Sequence, residues 1–381
     1  MKNRDEVKHL TKEDIIKNGS IFTPIEIVKL VKELAKKYIN DNSVIVDFGA
    51  GYGAFISEFL DLKGDKIATD IDSKSCELLK TDFPEIKIIE GNALKDIKRE
   101  DYCSLDKELV VIGNPPYNDV TSQYKKNEKG IFEIDEDIYA RDLGISFLRM
   151  YGKVDAKYIF VLHPLSYLIK KQNFKSLKEF SDKYKLEKAV IFSSQLFESI
   201  KKTNAEFPVV AAFYKQGKMT YEDICNFKFD IYQKEQKFCL NNFCTIDGKV
   251  EKYPTKNKKE TDLQFYTLRD MNALRRNKSF LTGNCSNGIK VTKDNLYQYA
   301  WLDYLKNNFN SDNMFLYGNL SPLYPEVIDE ELKKSLIGYV LNENQVVASW
   351  FKKYDKDFYN NNINNKYTKE DFLKELPDAI L

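Results

Sequence analysis

Residues 44–48 form a run of apolar side chains broken only by Asp47, and they lead directly into Gly49-Ala50-Gly51-Tyr52-Gly53. A buried strand that ends in closely spaced glycines restricts the fold strongly, because such a loop lets backbone pass close to a ligand where any side chain would collide. The same kind of apolar run recurs at 66–69, 86–89, 109–112 and 158–162, and again at 189–193 and 209–214. Mostly amphipathic or polar segments separate them, and strands alternating with helices predict a parallel, doubly wound α/β sheet. Before the first strand, Ile25, Val28, Val31, Leu34, Ala35 and Tyr38 recur at helical spacing. Thr23-Pro24-Ile25-Glu26 reads as a capping box with proline in the first turn, so a helix is expected to start at Pro24.

The rhythm fades near Gln216, where glycine, asparagine and lysine become frequent, so two domains are predicted, 1–215 and 216–381. The formal charge of +1 gives no hint of a polyanionic partner, and any nucleic-acid surface has to come from local clustering. Residues 245–293 supply one, with 11 Lys/Arg against five Asp/Glu, interleaved with Tyr253, Phe265, Tyr266 and Phe280. A solvated, lysine-rich loop would read the same way on charge alone. The six cysteines contain no CxxC pair and only two histidines accompany them, so no metal site is expected. The charged first twelve residues lack the apolar run of a signal peptide, and no stretch has the length of a membrane helix. The expectation is a cytoplasmic protein with reduced thiols and no membrane partner.

At the end of the second strand stand Asp70 and Asp72, where a carboxylate can accept hydrogen bonds from both ribose hydroxyls of a nucleoside. The glycine spacing is GxGxG rather than the dinucleotide GxGxxG, and Asp47 sits where it would repel a pyrophosphate but pair with a cation. Both details favour S-adenosylmethionine over a nicotinamide cofactor. Asn92, after the third strand, is placed to accept a hydrogen bond from the amine of the cofactor's adenine.

Asn114-Pro115-Pro116-Tyr117 follows the fourth strand. Two prolines stiffen the turn, remove two N–H donors and leave the Pro115 carbonyl free to face a substrate. The exocyclic amine of adenine is a poor nucleophile because its lone pair is delocalised into the ring. If the Asn114 side-chain oxygen and the Pro115 carbonyl each accept one hydrogen, the nitrogen is biased toward tetrahedral geometry and becomes reactive toward a sulfonium methyl. Tyr117 would stack on a base that has left the duplex.

On these residues the chain resembles the amino-methylating DNA methyltransferases of restriction-modification systems, in the group whose cofactor motif precedes NPPY and whose target-recognition domain is C-terminal. The resemblance spans about residues 18–215. It implies a Rossmann-like S-adenosylmethionine methyltransferase sheet with a second, smaller C-terminal α/β domain for target recognition. It implies a methionine pocket lined by Ile21, Phe22 and Thr23, with Asp47 and the loop residues Gly49, Ala50, Gly51 and Gly53 also at the cofactor, joined by Asn114. Asp70 would hold the ribose, Ile71 an adenine face, and Asn92 with Ala93 the adenine edge, although relatives commonly have Asp at the position of Asn92. Phe197 would join Tyr117 in sandwiching the flipped base, beside Asn114, Pro115 and Pro116 as the catalytic group.

The implied substrate is adenine N6 in double-stranded DNA, with a cognate restriction endonuclease as a further partner and a monomer or weak dimer as the active form. Arg269, Arg275, Arg276 and Lys278 are expected to meet phosphates. His163, next to Pro164, has no nucleophile motif beside it and is left out of the site. Residues 134–148 read as a helix covering the active loop.

Four other readings stay open. Release-factor glutamine methylation and RNA guanine methylation share NPPY, cytosine amine methylation shares the chemistry, and a catalytically dead specificity subunit would keep the fold. Cytosine carbon-5 methylation needs a Pro-Cys nucleophile that this chain lacks. No persuasive nuclease motif is present outside the methyltransferase region.

Overall fold

The structure is a computed structural model and describes residues 23–117, 133–197, 206–308 and 314–375. The chain forms two compact units, Met1–Cys239 and Leu240–Leu381. In chain order the first unit contains α1 (Ile25–Ala35), β1 (Ser43–Phe48), α2 (Ala54–Glu58), β2 (Asp65–Asp70), α3 (Ser73–Asp82), β3 (Lys87–Glu90) and β4 (Glu108–Gly113). Next come α4 (Leu143–Lys153), β5 (Tyr158–Pro164), β6 (Tyr184–Ser193), β7 (Pro208–Gln216), α5 (Tyr221–Asn226), β8 (Phe229–Ile231) and β9 (Lys234–Phe238).

These strands make one sheet in the order β3-β2-β1-β4-β5-β7-β6-β8-β9. The first five are mutually parallel, which gives the 3-2-1-4-5 order of a Rossmann-like doubly wound fold, and β7 enters antiparallel between β5 and β6. The order in which strands are added reverses between β1 and β4, so the crevice outside their carboxyl ends is the topological switch point where such folds bind ligands.

All six residues of β1 are buried, as a central parallel strand requires. On one face Ile45, Val110, Ile112, Phe160 and Phe213 meet Ile27, Val28 and Val31 of α1. Phe160 and Phe213 stack at 4.4 Å, with Tyr38 at 4.5 Å from Phe213. Each buried branched side chain of α1 is worth about 1.5–3 kcal/mol, so this stripe anchors the helix firmly to the sheet.

The sheet extends beyond the expected boundary at 215. β8 pairs parallel with β6 and β9 pairs antiparallel with β8, so residues 216–239 belong to the first unit. Strands of three and five residues are too short to show a period, and the four exposed polar residues of β9 mark a charged sheet edge rather than an apolar run. Two helix starts also differ. The helix expected from 134 begins at Leu143, because the Asp142 side chain accepts the Gly144 N–H and caps it there. The expected capping box at Thr23 is not formed: Pro24 is the cap residue, with no side-chain bond, and its carbonyl takes the amides of Ile27 and Val28.

The second unit has a three-stranded antiparallel sheet, β11-β10-β12, formed by β10 (Gln264–Tyr266), β11 (Phe280–Leu281) and β12 (Gly288–Lys290). With it are α6 (Leu296–Asn308), α7 (Glu330–Glu343), α8 (Gln345–Tyr354) and α9 (Lys356–Asn362), apart from shorter helices. Its core is aromatic: Tyr299, Trp301 and Tyr304 are fully buried, and the Trp301 indole donates to the Leu323 carbonyl at 2.8 Å. Among the described residues no helix is long and apolar enough to cross a membrane.

Gly53 closes the loop after β1 at φ +79°, and a Cβ there would stand 2.8 Å from both Leu79 and Phe83. Gly53→Ala is therefore expected to lower the unfolding free energy in urea by about 1–3 kcal/mol. Gly91→Ala, where a Cβ meets nothing within 4 Å, should change it by less than about 0.5 kcal/mol.

Candidate active site

Two loops meet at the switch point because β1 and β4 pair in register, with Asp47 opposite Ile112. The loop after β1 is held open by backbone bonds: the amides of Gly49 and Ala50 both donate to the Thr69 carbonyl at 2.9 Å. Gly49 and Gly51 have positive φ, and at both a Cβ would meet nothing within 4 Å, so the loop leaves room for a ligand to lie against backbone.

Asp47 is the most unusual group in the crevice. It is 1 % exposed, and among the described residues neither carboxylate oxygen has a hydrogen-bond partner. The space it fills exists because residue 113 is glycine, where a Cβ would come within 2.6 Å of Asp47 Oδ1. Burial, helped by the charge of Asp70, raises the Asp47 carboxyl from its ordinary 3.8 to about 8, and the nearby Ile56 amide offsets only part of this. The hydroxyl of Tyr151, on α4, is also buried without a partner, and burial with the charge of Asp47 holds it well above the usual tyrosine range. A cation with hydrogens to donate would satisfy Asp47, and nothing in the sequence pattern had pointed to Tyr151.

Asp70 differs in kind. Its oxygens accept the backbone amides of Gly51 (2.8 Å) and Asp72 (2.9 Å), so it shapes the glycine loop and the start of α3. Burial raises its carboxyl and these two bonds lower it again, burial being the larger. Asp72 is committed to capping α3 through the amide and hydroxyl of Ser75. Ile71, between them, is 48 % exposed and presents an apolar surface at the crevice edge.

Asn92 has both ends of its amide engaged, Nδ2 donating to the Glu133 carbonyl at 2.7 Å and Oδ1 accepting from the Leu94 amide at 2.9 Å. It pins the returning chain at 133 to the loop after β3, next to the buried Ala93. This is a structural duty that the sequence reading did not foresee.

At the end of β4, Asn114 Nδ2 donates to Thr23 Oγ1 at 3.0 Å, while the Tyr117 hydroxyl donates to Asn114 Oδ1. Tyr117 therefore turns its hydroxyl into the protein, where burial and the neighbouring Tyr151 and Asp142 push it well above the usual range. Asp142 also accepts from the Tyr167 hydroxyl, so hydroxyl groups and one carboxylate back the loop.

Phe197, expected to face a flipped base, is fully buried, edge-on to Phe192 at 5.7 Å in the main apolar cluster. It is a core residue in this structure, because the short turn after β6 directs it beneath the sheet end. His163 is also fully buried, its ring lying between those of Tyr167 and Tyr214. Burial lowers its pKa to about 4, so the ring is neutral. Nδ1 donates to the Pro164 carbonyl at 3.0 Å and Nε2 accepts the Tyr214 hydroxyl at 2.6 Å. Ile21 and Phe22 lie outside the described residues.

In the second unit, Arg269, Arg275 and Lys278 are exposed at and beside the helix Met271–Arg276. Nearby lysines differ: Lys252 pairs with Asp247 and Lys290 with Asp262. The side chain of Arg276 lies outside what is described.

No family model matches the sequence, and no curated protein matches it. Solved structures similar to the chain include a dimethyladenosine transferase from Plasmodium falciparum, 14 % identical over 54 % of this chain and 70 % of that one, with a TM-score of 0.34. The 23S rRNA methyltransferase ErmE is 11 % identical over 52 % of this chain and 70 % of its own, with a TM-score of 0.36. A precorrin-6y C5,15-methyltransferase from Geobacter metallireducens is 15 % identical over 52 % and 91 %, with a TM-score of 0.32.

Between pH 3.8 and about 8 the folded chain holds a proton on Asp47 that the unfolded chain has released, so this group lowers stability as pH rises through that window. Asp47→Asn does not titrate. The melting temperature of the variant minus that of the native chain should grow steadily from pH 5 to pH 8, at no more than about 1.4 kcal/mol of stability per pH unit. A difference that is constant with pH would show that Asp47 ionises freely.

Proposed function

We propose that the chain is an S-adenosylmethionine-dependent methyltransferase that modifies the exocyclic amine of adenine in double-stranded DNA, in a restriction-modification or epigenetic setting. The observation that carries the reading is the meeting, at one switch point, of Asn114 and the unpartnered Asp47 with its open glycine loop. Bound S-adenosylmethionine supplies an electrophilic methyl group on a sulfonium.

The residues present suit that cofactor. Among the described residues the buried Asp47 carboxyl has no hydrogen-bond partner, and the loop leaves backbone open at Gly49 and Gly51. Asp70 retains lone pairs for ribose hydroxyls beyond its two backbone bonds, and Asn92 has a second lone pair on Oδ1 for the adenine amine. Ile71 and Ala93 would border the adenine ring, and Thr23 the methionine end.

Chemistry at the target nitrogen falls to Asn114 Oδ1 and the Pro115 carbonyl, which accept the two amine hydrogens and draw the lone pair out of conjugation. The substrate amine takes the position at Oδ1 that the Tyr117 hydroxyl now fills. The Tyr117 ring then turns outward and stacks on the base, offsetting an unpairing cost of a few kcal/mol. The exposed Arg269, Arg275 and Lys278, with Arg276 beside them, would meet phosphates.

The deciding experiment is incubation with unmethylated genomic DNA and tritiated-methyl cofactor, followed by nucleoside chromatography. Label in N6-methyladenine is expected. Label in 4-methylcytosine would move the same chemistry to another base, and label only in RNA or protein would overturn the DNA reading.

Two further outcomes are expected. Asn114→Ala should keep cofactor affinity, measured by calorimetry, and lose about two to three orders of magnitude in turnover. Tyr117→Phe should retain most turnover because the ring does the stacking, whereas Tyr117→Ala should not. Separately, replacing Arg269, Arg275 or Lys278 by Ala should reduce the slope of log affinity for DNA against log salt by about one for each side chain. Unchanged slopes would place the phosphate contacts elsewhere.

A further inference from the structure

We infer that Thr23 is a positioning residue for the transfer step: its hydroxyl holds the Asn114 amide in place with Oδ1 turned toward the substrate. The inference rests on the methyltransferase reading above and assigns Thr23 a task beyond bordering the cofactor.

An asparagine amide is ambident. Its terminal torsion is two-fold, so a half-turn exchanges the acceptor Oδ1 for the donor Nδ2 at almost no steric cost. Only one orientation can work on an amine: Oδ1 draws a hydrogen from the nitrogen, whereas Nδ2 would point N–H groups at N–H groups. Something has to hold the rotor. The Asn114 Nδ2 to Thr23 Oγ1 bond of 3.0 Å, made from a point 91 residues away in sequence, contributes to this together with the Tyr117 hydroxyl on Oδ1.

Three observations set this bond apart from an incidental contact. Thr23 stands where a helix cap is expected, yet Pro24 is the cap residue and its carbonyl serves the first amides of α1, while the Thr23 hydroxyl accepts from Asn114. Its platform is stiff, because Pro24 fixes the backbone at φ −59° and α1 is anchored by the fully buried Ile27 and Val28. The other end of the amide already receives a donor, the Tyr117 hydroxyl, in the place the substrate amine would take. The amide is thus preset as an acceptor toward the crevice before substrate arrives.

The test compares Thr23→Val, Thr23→Ala and Thr23→Ser with the native chain in single-turnover methyl transfer at saturating cofactor, using whichever acceptor the native enzyme labels. Cofactor affinity is measured separately by calorimetry. Thr23→Val and Thr23→Ala should slow the step by about tenfold to a hundredfold, with cofactor affinity changed less than about threefold. Thr23→Ser, which keeps the oxygen, should recover to within about threefold of native. Native rates in the Val and Ala variants would overturn the inference, as would a loss explained entirely by weaker cofactor binding. Labelling of RNA or protein by the native enzyme would defeat the DNA reading alone, since the same comparison still decides the role of Thr23. A native chain that labels no acceptor would defeat both.

Discussion

The parallel pairing of β1 with β4 is the constraint from which the rest of the site follows. Once Asp47 lies opposite Ile112, the two chain ends leaving the sheet are neighbours, and whatever they carry must share one crevice. The first carries an acid and three glycines, the second a glycine and the Asn-Pro-Pro-Tyr turn. Gly113 links them physically as well as topologically, since a side chain there would occupy the volume that Asp47 Oδ1 now fills. A substitution at 113 would therefore act on Asp47 in β1 although the residue ends β4.

Two carboxylates lie in this crevice and do opposite work. Asp70 spends its charge on two backbone amides and stiffens the loop it faces. Among the described residues neither Asp47 oxygen has a hydrogen-bond partner, and the nearby Ile56 amide offsets only part of what burial and the Asp70 charge impose. An unpartnered buried carboxylate costs free energy, either as desolvation of the ion or as the proton it must carry at neutral pH. A fold would shed such a group if only stability mattered, because a leucine-sized apolar residue would fill the space without that cost. A ligand that donates hydrogen bonds to it would remove that cost, as in the cofactor role proposed above.

Much of the framework is legible in the sequence because it is written locally. Central strands such as β1 and β4 are continuous apolar runs, and the glycines and Asn-Pro-Pro-Tyr mark the loops that follow them. What escaped is non-local. β6 starts at Tyr184, earlier than the apolar run at 189, because Lys185, Glu187 and Lys188 are tolerated there around a bulge and Glu187 pairs with Lys215 across the sheet. Phe197 reads as a candidate stacking ring until the turn after β6 is seen to bury it. Asn92 reads as a ligand contact alone, and its second task, donating to residue 133 from 41 positions away, leaves no local trace. Thr23 carries the plainest helix-cap signature in the chain, and a partner far along the sequence takes its hydroxyl.

That last displacement shows how a local signal can be outbid without loss of the local structure. A side-chain cap is worth about 1 kcal/mol, and α1 buries Ile27, Val28, Val31 and Ala35 against the sheet, so the helix survives without one. The hydroxyl is then available at small energetic cost to the Asn114 amide. The same economy recurs behind the loop, where Asp142 caps α4 and also accepts from Tyr167, and where His163 stays neutral between two tyrosine rings. These buried polar groups are satisfied in pairs with fixed geometry, so the wall behind Asn114 and Tyr117 has few ways to rearrange. A rigid wall would suit the reaction proposed above, whose barrier is lowered by orientation.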